Sequence, residues 1–168
     1  MRLIHCTQKL LKELGNPSLQ SIEGIAYSEG LGNWYANIIK IDRKKCLLLT
    51  NEKSLYSFII PSVLKANIKN LKTEFLNHLI LNLQYEGFNL EIINHIQKEY
   101  QDIGFAKTAS KHVLGAMTQL MFEYEVLIQM KEGIDNVKVL EINRDINRTI
   151  LKGIKFLHPI EALRESLS

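Results

Sequence analysis

The chain has 168 residues with 46% apolar and 23% charged side chains, 9 Gly and 3 Pro, values that are typical of a single globular domain and exclude disordered and fibrous classes. No apolar run approaches the roughly 20 residues that cross a bilayer, so the sequence predicts no membrane partner. The net charge of +3 lies well below the basic balance of dedicated nucleic-acid binders.

The first predicted element is a short strand over residues 2–6, followed by a helix that Thr7 caps. The leucines of this helix share one face, and Gly15 ends it. The segment lacks the apolar core and the cleavage site of a signal peptide, which predicts a cytoplasmic protein. Residues 15–33 are predicted to be rich in loops.

Three apolar and aromatic runs follow, over residues 34–41, 46–50 and 54–60, and short polar turns separate them. This pattern predicts a three-stranded antiparallel meander. The middle run is apolar on both faces, which indicates a central strand covered on both sides. The basic turn at residues 43–45 is either a solvated hairpin tip or a phosphate contact.

The second half of the chain is predicted to be mainly helical. Apolar residues recur at helical spacing over residues 68–83, 90–100 and 113–128, and Ser110 can cap the last of these helices. The short apolar run at residues 103–108 predicts a further strand that pairs with the N-terminal one.

Residues 135–154 again show helical spacing, and a final helix is predicted over residues 160–167, with Pro159 in its first turn. The sequence therefore predicts one α+β domain over residues 1–168. Its small, mostly antiparallel sheet consists of the meander near residues 34–60 plus the N-terminal strand, and several helices cover it.

No familiar catalytic or cofactor-binding motif occurs in the sequence. It contains no phosphate-binding loop, no Gly-x-Gly-x-x-Gly, no Gly-x-Ser-x-Gly, no His-Glu-x-x-His and no Cys-x-x-Cys. The five histidines are scattered, and no two have the spacing of helical metal ligands. Cys6 and Cys46 are predicted to be reduced core thiols. The sequence therefore predicts no metal site and no cofactor, and it leaves open whether the protein is an enzyme.

Four polar clusters stand at the starts or ends of the predicted elements. The candidate ligand-binding residues in them are Thr7, Lys9, Trp34, Asn37, Lys107, Lys111 and Arg148. If the fold brings the clusters together, the cations would line a basic pocket, and Trp34 would offer a stacking surface for a base or sugar. This arrangement predicts a site for nucleic acid or another phosphate-bearing ligand. The alternative is that Thr7 and Ser110 are helix caps, that Asn37 and Asn51 form hydrogen bonds at turns or strand ends, and that Trp34 is core.

Six segments carry a family resemblance: Cys6-Thr7-Gln8-Lys9-Leu10-Leu11, Leu31-Gly32-Asn33-Trp34-Tyr35-Ala36-Asn37, Asn51-Glu52-Lys53-Ser54-Leu55, Lys107-Thr108, Val113-Leu114-Gly115-Ala116-Met117 and Asn147-Arg148-Thr149. Their order resembles that of a bacterial family, domain of unknown function 6933. The resemblance spans nearly the whole chain and implies one domain of bacterial, cytoplasmic origin. It assigns no catalytic or binding residue.

Three functions are compatible with these patterns. The first is a binding or regulatory module for nucleic acid or another phosphate-bearing ligand. The alternative is a protein-interaction subunit, antitoxin-like or a phage-defence accessory, whose protein partner covers an exposed apolar patch. A second alternative is an enzyme acting on nucleotides or nucleic acid, in which Lys107 or Lys9 stabilises charge and His112 serves as acid or base.

Overall fold

The structure is a computed structural model that describes residues 1–22, 29–149, 151 and 158–168. Within these residues, five strands form one sheet in the order β4-β3-β2-β1-β5. The strands are β1 Arg2–Cys6, β2 Trp34–Ile41, β3 Lys44–Asn51, β4 Ser57–Ile60 and β5 Ile103–Lys107.

The sheet is mixed. Strands β2, β3 and β4 form the antiparallel meander that the sequence predicts. Strand β1 runs parallel to β2 on one side and parallel to β5 on the other. The predicted pairing of residues 103–108 with the N-terminal strand is therefore confirmed, but the sheet is not purely antiparallel. Parallel neighbours are possible here because long connections that contain helices, rather than tight turns, join β1 to β2 and β4 to β5.

The described helices are α1 Gln8–Glu13, α2 Lys65–Lys69, α3 Leu71–Tyr85, α4 Leu90–Glu99, α5 Lys111–Met130, α6 Val139–Ile146 and α7 Pro159–Leu167, with a 3₁₀ turn at Ile134–Asn136. The α+β class is thus confirmed. The two predicted caps are also present, since Thr7 Oγ1 accepts a hydrogen bond in the first turn of α1 and Ser110 Oγ does so in α5. Among the described residues, no helix combines the length and apolar character that a bilayer crossing requires.

Two predicted boundaries are wrong. The helix predicted over residues 68–83 is divided between α2 and α3, because Asn70 leaves helical geometry with φ −98° and ψ 31°. The last strand of the meander starts at Ser57 rather than at Ser54. Here Asn51 Oδ1 accepts hydrogen bonds from both the N–H and the hydroxyl of Ser54, which folds a turn in place of the strand.

Parts of two predicted segments lie outside the described residues. These parts are residues 23–28 of the predicted loop and residues 150 and 152–154 of the predicted helical segment. Helix α6 forms within the latter segment, and α7 confirms the predicted final helix.

Helices cover both faces of the sheet. Alternate residues of β2 enter different cores: Trp34 and Ile38 pack with α1 to α4 and α7, whereas Tyr35 and Ile39 pack with α5 and α6. The middle strand β3 follows the same rule, and residues 47–49 are all buried. This confirms the predicted central strand covered on both sides. The removal of these apolar side chains from water is the main contribution to stability.

Candidate functional site

Two parallel strands end side by side at one edge of the sheet, where Cys6 of β1 pairs with Lys107 of β5. After β1 the chain enters α1 on one face, and after β5 it enters α5 on the other face. Adjacent parallel strands whose connections leave on opposite faces form a topological switch point, and ligands commonly bind in the crevice beyond the carboxyl ends of such strands. We call this region the switch-point edge.

Thr7 and Asn37 bind each other at the switch-point edge. The N–H of Thr7 donates to the carbonyl of Ala36 at 3.1 Å, which keeps the end of β1 on β2. The hydroxyl of Thr7 donates to Asn37 Oδ1 at 2.7 Å and accepts from the N–H of Leu10 at 3.4 Å. The Thr7 hydroxyl thereby makes two hydrogen bonds within the protein, whereas the Nδ2 group of half-buried Asn37 makes no hydrogen bond to any described residue.

A buried histidine connects β1 to the start of α5. The ring of His5 stacks on the ring of Tyr35 with centroids 4.6 Å apart, and its Nδ1 lies 2.8 Å from the carbonyl oxygen of Lys107. Because a carbonyl only accepts, Nδ1 carries a proton in this contact. The hydroxyl of Tyr35 accepts from the N–H of Ser110 at 3.0 Å. These contacts fix the position at which α5 begins.

Three lysines surround this edge and point to solvent. Lys9 lies in the first turn of α1, Lys107 ends β5, and Lys111 begins α5. All three are exposed, and none forms an ion pair with a described residue. Like charges near one another give the surface a positive potential, which attracts anions. The structure therefore places five of the predicted site residues near this edge, namely Thr7, Lys9, Asn37, Lys107 and Lys111, with Lys9 and Lys111 on helices that cover opposite faces of the sheet.

Trp34 does not lie at this site. Its ring is fully buried and packs edge-on against Phe58 and Phe75. Its Nε1 donates to the hydroxyl of Tyr100 at 2.8 Å, and that hydroxyl donates to the carbonyl of Gly32 at 2.7 Å. Trp34 is thus a core residue with a satisfied polar group, and no face of its ring is open to a ligand.

Arg148 also lies elsewhere, at the far edge of the sheet beside β4. Its guanidinium donates to both carboxylate oxygens of Glu86, at 3.1 and 2.7 Å. The Glu86 side chain is only 1% exposed, and this pairing raises the pKa of Arg148 above its ordinary value. Arg148 therefore neutralises a buried carboxylate and is not available to a ligand.

Sequence reasoning missed the polar network beside Arg148, which occupies the open side of β4. Asn147 accepts from the N–H of Ser57 at 2.9 Å and donates to its carbonyl at 2.7 Å. Asn143 accepts from the N–H of Ile59 at 3.0 Å and from the hydroxyl of Tyr124. Two asparagines four residues apart on α6 thus pair with β4 as a neighbouring strand would. The four-residue spacing of these asparagines, which places both on one face of a helix, was the signal in the sequence that could have revealed this network.

The loop before β2 bonds to the amino end of the sheet. Asn33 Oδ1 accepts from the N–H of Leu3 at 2.9 Å, and Glu99 Oε1 accepts from the N–H of Gly32 at 3.1 Å. Gly30, at φ +82°, lies so close that an added Cβ would be 2.5 Å from Glu99 Oε2. A side chain at position 30 would therefore displace the Glu99 carboxylate and would be strained by the positive φ.

A pocket of about 920 Å³ opens beside this amino end, between α4, the end of α7 and the loop at Gly30. Its lining carries both signs of charge, with Glu29 and Glu91 alongside Lys53 and Lys98. None of the predicted site residues lines it. Opposite charges in one lining give little net attraction for an anion, so this pocket does not match the predicted chemistry.

The cysteines and the acidic residues offer no second centre. Cys6 and Cys46 are free and buried, as predicted. Burial raises the pKa of the Cys6 thiol to about 12 and also raises the pKa of Cys46, so neither thiol provides the thiolate that nucleophilic chemistry needs. Within the described ranges, no three His, Cys, Asp or Glu side chains are grouped so that they could hold a metal ion.

The fold is a three-layer α+β domain with a switch point at one edge and an asparagine-sealed strand at the other. The chain belongs to the family described as Domain of unknown function (DUF6933), whose model matches residues 3–162. This confirms the resemblance seen in the sequence. No curated protein matches the chain. In the segments that carry the resemblance, main-chain groups bond to the side chains of Thr7, Asn33, Asn51 and Asn147.

Proposed function

We propose that the protein is a binding or regulatory module that holds a phosphate-bearing ligand at the switch-point edge. The observation that carries this proposal is the group of three exposed lysines around two parallel strand ends, with no carboxylate paired to them among residues 1–22, 29–149, 151 and 158–168. Because these lysines form no ion pair with a described carboxylate, no such pair has to break when an anion binds them.

Neutral donors at the same edge support the proposal. The Nδ2 group of Asn37 makes no bond to a described residue, and the Thr7 hydroxyl fixes the orientation of that amide. At the start of the 20-residue helix α5, Ser110 caps only the N–H of Val113. The first N–H groups of a helix have no partner within the helix, so they are donors that an anion can use. Lysines supply attraction, and these fixed donors supply orientation.

A free phosphate-bearing ligand such as a nucleotide fits these features better than an extended nucleic acid. Stacking on exposed aromatic rings is the usual source of affinity for single strands, and Trp34 is in the core. The basic turn adds only one cation to the charged surface, because Lys44 pairs with Asp135 and Lys45 pairs with Glu13, whereas Arg43 is exposed and forms no ion pair with a described residue. A binding module in the bacterial cytoplasm, where such ligands are abundant, is the setting that we propose.

The test is calorimetric titration of the protein with inorganic pyrophosphate and with ADP, at about 50 mM and about 200 mM salt, a range over which phosphate contacts weaken markedly. We expect binding that falls as salt rises. A single-stranded oligonucleotide serves as a comparison, and we expect it to bind more weakly than ADP.

A matched pair of variants locates the site. Lys107→Gln should lower the affinity for pyrophosphate about tenfold, since one charge-assisted contact of this kind contributes roughly 1.4 kcal/mol. Lys98→Gln removes an equally exposed charge at the opposite end of the sheet and should leave the affinity unchanged. Equal affinities for the two variants, or no salt-dependent binding by the unaltered protein, would refute the proposal.

A further inference from the structure

The face of α5 that points away from the sheet carries large apolar side chains. Phe122 is 66% exposed and Met130 is 76% exposed, and Val126 lies between them, one turn from each. Among the described residues, α5 packs on β2, β3 and α6 through its opposite face. No described part of the chain covers this outer face.

The charges on the outer face are separated along the helix. Lys111 stands at the beginning of α5, and Glu125 stands one turn after the midpoint. The outward positions between them, Gly115, Thr118 and Phe122, carry no charge. The face is therefore basic at one end, uncharged in the middle and acidic towards the other end.

We infer that this face binds a second copy of the chain, through antiparallel α5 helices related by a two-fold axis at Thr118. Residues equally distant from the axis then lie opposite each other. Lys111 lies seven positions before Thr118 and Glu125 lies seven after it, so each copy places its cation against the carboxylate of the other. The pairing forms twice, because a two-fold contact uses the same surface on both copies.

The sizes of the side chains match in the same register at Phe122, whereas Val126 and Met130 would face positions 110 and 106, which lie before the start of the second α5. Phe122 comes opposite Gly115 of the second copy, within one position. An added Cβ at Gly115 would have no atom within 4 Å, so the helix surface is open there. A glycine lets a neighbouring helix approach closely, and a protruding ring from that helix can fill the space above it.

This self-complementarity favours a second copy over a different protein. A parallel arrangement of two α5 helices would oppose like charges, whereas the antiparallel one opposes unlike charges at both ends. The contact is limited in size, because a 20-residue helix is about 30 Å long. A single helix face is smaller than the roughly 800 Å² per partner of a standard interface. The dimer should therefore be weak and concentration-dependent.

The primary experiment is sedimentation velocity of the unaltered protein from about 1 µM to about 300 µM, which brackets the affinities expected of so small an interface. We expect the weight-average mass to rise from that of one chain toward that of two. Phe122→Gln should weaken association at least about tenfold, as removal of a central aromatic contact does. Leu90→Gln is the matched control, because Leu90 is 71% exposed on α4 and should not affect association.

Two further variants test the register. Lys111→Glu and Glu125→Lys should each weaken the dimer, and the double variant should restore it because the charges are exchanged. Thr118→Cys should form a disulfide-linked dimer under mild oxidation, faster than Thr73→Cys on the exposed face of α3.

A protein that stays monomeric throughout this range would overturn the inference. A double charge variant that is as weak as the single ones, or equal cross-linking at positions 118 and 73, would do so as well. All of these side chains are exposed, and circular dichroism verifies that each variant is folded. The readout is mass, so it does not depend on phosphate binding. Lys111 belongs to both proposals, and in the dimer it pairs with Glu125, so the test of the phosphate site relies on Lys9 and Lys107, which lie outside the α5 face.

Discussion

The β4 edge and the switch-point edge use similar polar residues in opposite ways. Beside β4, Asn143 and Asn147 bond to the strand, and Arg148 pairs with buried Glu86. At the switch-point edge, Lys9 and Lys107 are exposed and form no ion pair with a described residue. At the β4 edge the polar side chains bond to other groups of the protein, whereas at the switch-point edge they remain accessible to solvent.

The difference follows from what each edge lacks. An edge strand leaves main-chain N–H and C=O groups unpaired, and buried groups of this kind must be satisfied. The β4 edge is covered by α6, so its side chains have to supply the missing bonds. At the switch-point edge, the N–H of Thr7 is already bonded to the carbonyl of Ala36 and Lys107 is exposed, so the lysine side chains are not needed to satisfy main-chain groups. Whether a polar side chain stabilises the fold or remains available to a ligand thus depends on whether the main-chain groups beside it are buried.

The largest effect is expected for Asn147→Leu. The change leaves the N–H and the carbonyl of Ser57 without partners in a buried position. Each unpaired buried group costs roughly 1–3 kcal/mol, so the free energy of unfolding should fall by about 3 kcal/mol. Urea denaturation measures this loss. Asn77→Leu, at an exposed position of α3, is the control, and a similar loss there would mean that the β4 edge is not special.

A smaller loss of stability is expected for Arg148→Met, because Glu86 keeps only its bond to the hydroxyl of Tyr56 at 3.3 Å. Breaking a fully buried pair costs about 3–5 kcal/mol, and the partial exposure of Arg148 reduces the expected value to about 2 kcal/mol. Thermal and urea unfolding give the value. Pyrophosphate affinity should not change, and a parallel loss of affinity would contradict the separation of the two regions.

The reverse behaviour is expected for the double variant Lys9→Gln, Lys107→Gln. Neither lysine forms an ion pair with a described residue, so the free energy of unfolding should change by less than about 0.5 kcal/mol. Pyrophosphate binding should be lost in the same sample. If instead the variant unfolds more easily while its affinity is retained, these lysines are structural.

The smallest effect concerns pH. Partial burial lowers the pKa of His78 below 6.5, although neighbouring Glu74 acts in the opposite direction. The unfolded chain therefore takes up this proton before the folded chain does, so stability is lost as pH falls through 6.5. Urea midpoints at successive pH values should show a shallower acid decline for His78→Gln than for the unaltered protein. Identical slopes would exclude a contribution from His78.

Periodicity was sufficient to predict most elements of the fold. The apolar and aromatic run at residues 34–41 and the doubly apolar run at residues 46–50 predicted strands, and the structure shows that the two faces of these strands enter two cores. Thr7 and Ser110 were recognisable as caps because a hydroxyl directly precedes each apolar helix. These features are local, so they are visible in a short stretch of sequence.

The candidate site depended on contacts that local patterns do not contain. Lys9 and Lys107 come together only because β1 pairs with β5 in parallel. Arg148 resembles them in sequence, and its separation from them is caused by Glu86, a residue 62 positions away. The sequence around Trp34 allowed two roles, a stacking surface for a ligand or a ring in the core. Its burial decides for the core, and that burial is caused by helices from both halves of the chain.

The placement of β1 also affects how the chain acquires its shape during synthesis. His5 and Lys107 are in contact but stand 102 positions apart, so β1 has a neighbour on only one side until that distant stretch has left the ribosome. Joining such remote segments is slow compared with the closing of local helices. Addition of β5 should therefore be among the last events of folding, and a nascent chain halted before it would display an unmatched strand to other molecules.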